Sequence, residues 1–144
     1  MEPSVKRGAY FFVLKVAYSK PESVKRGDVI AYRFEYMGRE DVYLKRVIGI
    51  PGDHVSASGA KLEVNGTELA RNAIGKFGSM LIFEERLGDA RYQIQIGPTP
   101  YGLNDVDIIV PENSFFVMGD NRMNSFDSRY SGCVIFSDIV GEKL

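Results

Sequence analysis

Apolar and polar residues alternate along most of this chain with a period near two, the period of an extended strand. Aromatic and β-branched residues fill residues 9–18 and 28–36, which predicts a strand in each. The turn at Gly38-Arg39-Glu40 leads into a further strand through Lys45. Short strands are predicted at 54–58 and 61–64. Asn65-Gly66, set between Leu62-Glu63-Val64 and Thr67-Glu68-Leu69, predicts a tight hairpin. Strands at 80–84 and 92–96 are joined around Gly88-Asp89, and Pro98 and Pro100 mark a loop. The pattern resumes at 107–110, 114–118, 133–136 and 139–143. Residues 119–132 are polar and turn-rich, with neither a strand nor a helix period. No amphipathic helix longer than a turn or two is predicted. The expected fold is therefore mainly β and antiparallel.

One strand carries an anomaly. Tyr43-Leu44-Lys45-Arg46-Val47-Ile48-Gly49-Ile50 runs apolar, basic, apolar and breaks at Pro51-Gly52. Alternation puts Tyr43, Lys45 and Val47 on one face and Leu44, Arg46 and Ile48 on the other. A lysine between Tyr43 and Val47 is costly to bury unless it loses its proton or finds partners. A lysine kept neutral by burial can serve as a general base. The plainer reading is that Lys45 and Arg46 snorkel from a strand edge.

Bulk properties narrow the function. A chain of 144 residues, 44% of them apolar, suits one domain with its own core. The formal net charge of −1 gives no basic surface for nucleic acid. The single cysteine, Cys133, excludes an internal disulfide, and nothing gives it a redox role. One histidine, His54, cannot build a histidine-rich metal site and argues against a Ser-His-Asp triad. No metal and no cofactor are expected. No run of about 18 apolar residues is present, so no stretch reads as a spanning helix.

The polar stretch Gly119-Asp120-Asn121-Arg122-Met123-Asn124-Ser125-Phe126-Asp127-Ser128-Arg129 leaves an apolar strand. As a self-satisfied loop it would hold Asx turns and an Asp127–Arg129 pair. A loop that positions a lysine needs the same content, with a hydroxyl beside the amine and charged pairs to fix the backbone.

These stretches resemble the bacterial type I signal peptidases, serine proteases that use a Ser-Lys dyad. Residues 45–53 are similar to the family's lysine box, and residues 119–129 to its C-terminal box. Arg26-Gly27-Asp28-Val29-Ile30 resembles the short box ahead of the lysine strand. Met1-Glu2-Pro3-Ser4 resembles the nucleophile box, and the order of the boxes is the family's. Residues 56–105 carry little of the resemblance beyond their β character.

The resemblance implies antiparallel coiled sheets of the signal-peptidase type with little or no helix. It implies one extracytoplasmic catalytic domain over 1–144, its catalytic core in 1–55 and 106–144 and a variable β-rich insertion in 56–105. Lys45 would be the general base and Ser125 the hydroxyl that orients it. Asp120 would pair with Arg46, and Asp127 with Arg129, to support them. Met1, Val5, Phe11, Ala31, Tyr43 and Leu44 are candidate walls for the substrate, with ordinary core as their other reading. Of Phe11 and Phe12, which face opposite ways on a strand, one is expected to be exposed.

In the family the nucleophilic serine directly precedes the box's methionine, a position ahead of Met1. Ser4 stands where the family usually has threonine and is not the nucleophile. The expectation is a domain cut just inside that box, itself inactive, with its membrane anchor upstream. The implied substrates are signal peptides of exported preproteins, with small residues at the first and third positions before the cut. The implied setting is the outer side of the bacterial cytoplasmic membrane, against the phospholipid surface. Two other readings stand: a catalytically silent module binding an extended peptide or pilin-type partner, and a conjugation-type processing peptidase.

Overall fold

The computed structural model describes residues 1–6, 8–15, 18–98 and 104–144. In chain order these form β1 (Val13–Leu14), β2 (Val29–Tyr36), β3 (Arg39–Gly49), β4 (His54–Ser58), β5 (Lys61–Val64), β6 (Thr67–Glu68), β7 (Arg71–Phe77), β8 (Met80–Leu87), β9 (Ala90–Ile96), β10 (Val106–Ile109), β11 (Ser114–Met118), α1 (Ser128–Ser131), β12 (Val134–Ile135) and β13 (Ile139–Lys143). They make a six-stranded sheet in the order β1-β13-β2-β3-β11-β12, a four-stranded sheet β10-β4-β5-β6 and a three-stranded sheet β7-β8-β9. The ladders are antiparallel. The mainly β fold read from the alternation is the observed one.

Strand β3 organises the large sheet. Its full length pairs with β2, from Val29↔Arg46 to Tyr36↔Arg39. On its other side β11 pairs only with the far end, at Gly49, Val47 and Arg46. One face of this sheet buries Ile30, Tyr32, Val47, Phe115 and Val117. The other face joins Ile48, Phe116 and Met118 to Val55 and Leu62 of the second sheet and to Leu87, Tyr92 and Ile94 of the third. All three sheets thus share one core. The Pro51-Gly52 turn that ends β3 is pinned by Asp53, which accepts from the Ile50 N–H at 2.9 Å and from Arg26 Nε at 2.7 Å.

The Asn65-Gly66 hairpin forms between β5 and β6 with both residues at positive φ, 52° and 75°, as a tight two-residue turn requires. Three details differ from the sequence reading. Only Val13–Leu14 of residues 9–18 is a strand. It lies at the outer edge of the sheet beside β13, and β propensity counts only where a half-buried surface exists to receive it. Strand β7 was not foreseen, because its residues are mostly exposed and carry no alternation. Residues 119–132 contain the single-turn helix α1, capped by the Asp127 side chain, which accepts from the Arg129 N–H at 3.3 Å. Val16 and Ala17 of the expected first strand, and Pro100 of the expected loop, lie outside the described residues.

Candidate active site

Strand β3 brings Lys45 to the point where β11 departs. Beyond the Met118↔Arg46 pairing, residues 42–45 of β3 pair only with β2 among the described residues. A groove of about 410 Å³ opens there, walled by Met1, Val5, Phe11, Tyr43 and Leu44, with Lys45 in its lining. Asn121 and Asn124 also line it; the sequence reading gave them no role. Ala31 does not belong to the wall. It is 1% exposed in β2, held between Leu44 of β3 and Gly141 of β13, and its place is ordinary core. Both Phe11 and Phe12 are exposed, at 39% and 82%, because the chain there is not a strand with an inward face.

Ser125 converges on Lys45 across Gly119. The point where a Gly119 Cβ would stand is 2.2 Å from Ser125 Oγ and 3.8 Å from Lys45 Cδ. Ser125 Oγ is fully buried and has no hydrogen-bond partner, so it lies near the Lys45 side chain without bonding its amine. The amine lies 5.8 Å from the centre of the Tyr43 ring. Burial lowers the Lys45 pKa from the ordinary lysine value. The Asp127 charge pulls it back up, Arg129 pushes it down and Asp120 pulls it up, and the net direction is down.

Three buried ion pairs surround this point. Arg46 donates to Asp120 from Nε at 2.9 Å and from Nη2 at 2.7 Å. Its Nη1 reaches the Gly27 carbonyl at 2.7 Å, its Nη2 reaches Ser4 Oγ at 3.2 Å, and its guanidinium lies 4.0 Å over the Tyr92 ring. Arg129 forks onto Asp127 with two bonds of 2.8 Å, and Asp127 also accepts from the Gly119 N–H at 3.0 Å. Arg122 forks onto Glu85. Each of these three carboxylates already has an arginine, Glu85 having Arg71 as well, and Lys45 has no ion-pair partner among the described residues. A protonated Lys45 would be the unmatched charge, which is the condition for a lowered pKa.

The whole chain, residues 1–144, matches the family model described as signal peptidase, peptidase S26. The chain belongs to the signal peptidase family. A Pseudomonas aeruginosa signal peptidase I is 35% identical over 148 aligned residues, covering 90% of this chain and 51% of that protein. A Bacillus caldolyticus signal peptidase I is 31% identical, covering 99% of this chain and 71% of that protein. The chain thus spans about half the length of the Pseudomonas relative and more of the Bacillus one. In structure it is similar to a signal peptidase I from Enterococcus faecalis, with a TM-score of 0.51 and 26% identity over 83% of this chain and 95% of that one. Within this signal peptidase fold the lysine-box residues 45–53 are the end of β3 and its turn. The residues of the C-terminal box, 119–129, wrap back onto Lys45.

Two contributors were missed in the sequence. Arg122 lies in the polar loop but had no assigned partner. Glu85 lies in β8, in the stretch read as an insertion. Its signal was present: alternation sets Glu85 on the same face as Phe83 and Leu87, both of which pack into the core. A carboxylate at such a position needs buried cations.

Proposed function

We propose that this chain is the catalytic part of a membrane-associated serine endopeptidase that removes N-terminal signal peptides from exported preproteins. Lys45 is the general base, Ser125 orients it, and the nucleophile is a serine directly ahead of Met1. The observation that carries this reading is the Lys45 amine itself. It is partly buried, has no ion-pair partner among the described residues, and lines an open groove beside a buried, unbonded hydroxyl.

The backbone nitrogen of Met1 lies close enough to Lys45 for the two positive charges to repel. Met1 and Lys45 line the same groove, so a residue joined to that nitrogen starts at the groove that holds the amine. A serine there loses its proton to neutral Lys45 as its oxygen attacks the scissile carbonyl. The lysine, now protonated, returns the proton to the departing amine as the C–N bond breaks. Water, deprotonated by Lys45 in turn, attacks the acyl carbon, and the lysine returns that proton to the serine oxygen as the ester bond breaks. The free edge of β3 at residues 42–45 accepts an extended peptide as an added strand, with alternate side chains entering the groove. We infer contact with the phospholipid surface, on the outer side of the cytoplasmic membrane; the exposed Tyr10 and Phe12, which flank the groove residue Phe11, support an apolar face for that contact.

The test is cleavage of an Ala-x-Ala peptide in the presence of detergent or lipid. The form with serine directly ahead of Met1 is expected to cut after the second alanine. The form with alanine there, and the chain starting at Met1, are expected to leave the peptide whole. Equal cleavage by all three would place the nucleophile elsewhere. No cleavage by the folded serine form would favour a silent peptide-binding module.

A further inference from the structure

Glu85 is completely buried, 0% exposed, in the middle of the three-stranded sheet. Four groups converge on its two oxygens. Arg122 Nη1 donates to Oε2 at 2.8 Å and Arg122 Nη2 to Oε1; Arg71 Nε donates to Oε2 at 2.6 Å and the Tyr92 hydroxyl to Oε1 at 2.9 Å. Burial alone would raise the Glu85 pKa, but the two arginines overcome it and hold the carboxyl below its ordinary value.

The arginine that Glu85 holds reaches the active-site loop at two points. Arg122 Nε donates to the Gly119 carbonyl at 3.2 Å, and the Arg122 carbonyl accepts from Arg129 Nη1 at 2.9 Å. Gly119 is therefore gripped at both ends of its backbone, at the N–H by Asp127 and at the C=O by Arg122. Its missing side chain is the space in which Ser125 Oγ meets the lysine. The same sheet touches the loop again, where the Gln95 N–H donates to the Asp120 carbonyl at 2.9 Å and the Arg122 N–H donates to the Gln95 carbonyl at 3.0 Å. Tyr92, which donates to Glu85, also supplies the ring on which Arg46 stacks.

We propose that Glu85 is a positioning residue for the Ser-Lys chemistry, acting through Arg122 and the Gly119 carbonyl on the placement of Ser125 beside Lys45. This rests on the function proposed above. Glu85 is fully buried and does not line the groove, so it touches no substrate and its loss acts on turnover. A small displacement of a reacting constellation costs up to about a hundredfold in rate.

The experiment uses the serine-complete form, whose own activity tests the function first. Glu85→Gln is expected to lower kcat by roughly ten- to a hundredfold with KM unchanged, and to lower Tm because Arg122 keeps a buried, uncompensated charge. The double variant Glu85→Leu with Arg122→Met removes the buried pair, leaves only the partly exposed Arg71 unpaired, and is expected to recover part of the lost Tm. It is expected not to recover kcat, since the grip on the Gly119 carbonyl is still missing. Glu84→Gln, on the solvent side of the same strand, is expected to leave both constants unchanged. If kcat recovers with Tm in the double variant, the role is structural and the inference is overturned. It is equally overturned if Glu85→Gln keeps full kcat, or if neither variant folds, because a role separable from folding is what is claimed. Absence of cleavage by the unsubstituted form would instead count against the proposed function.

Discussion

The Ser125 hydroxyl oxygen lies 2.2 Å from the point where a Cβ on Gly119 would stand. No side chain can be added at 119 without displacing the hydroxyl. Gly119→Ala is therefore predicted to abolish most cleavage and to cost about 1–3 kcal/mol, the range for overpacking a close-packed site. Denaturant unfolding and peptide cleavage on the same preparation check this. Full activity in Gly119→Ala would mean that the position of Ser125 is immaterial.

Lys45→Met is predicted to end cleavage and to raise stability at neutral pH. The sign follows from linkage. Burial holds the folded-state pKa of Lys45 below its unfolded value of about 10.4. Above both values the amine is neutral in either state and costs nothing. As pH falls from the unfolded towards the folded pKa, the unfolded chain takes up a proton that the native state resists, and stability is lost. The advantage of methionine should thus be largest at neutral pH, shrink as pH rises towards about 10.4 and vanish above it. Melting curves across that window, compared with the lysine form, read it directly.

The support around the lysine separates into two kinds. Ser125 Oγ is buried without a partner, so Ser125→Ala removes a group that contributes no hydrogen bond to stability. Its Tm should be unchanged or higher while turnover falls. Asp127→Asn and Arg129→Ala each break a pair whose members are almost fully buried. Breaking such a pair by removing one partner costs about 3–5 kcal/mol, so these variants should lose both stability and rate. Equal losses of stability in all three would contradict the division.

Much of this was legible in the sequence, for physical reasons that can be named. Alternation is a local property, so most strands and the Asn65-Gly66 hairpin could be read from it. The placing of Lys45 and Arg46 on opposite faces of β3 follows from the same period: Arg46 turns to Asp120, and Lys45 turns to the face shared with Tyr43 and Val47. What could not be read is set by partners distant in the chain. Residues 9–12 are aromatic enough for a strand but find no ladder. Ala31 looks like any small residue until β13 covers it. Glu85 finds Arg122 thirty-seven residues away, and only the fold says which cation reaches a buried carboxylate.

The central claim is that Lys45 stands ready as a neutral base. Titration of its amine by NMR, with assignment secured by loss of the signal in Lys45→Met, tests this most directly. The midpoint is predicted to fall clearly below the ordinary lysine value of about 10.4, and cleavage by the serine-complete form is predicted to rise with pH through that same midpoint. A Lys45 midpoint at or above the ordinary value would contradict the account.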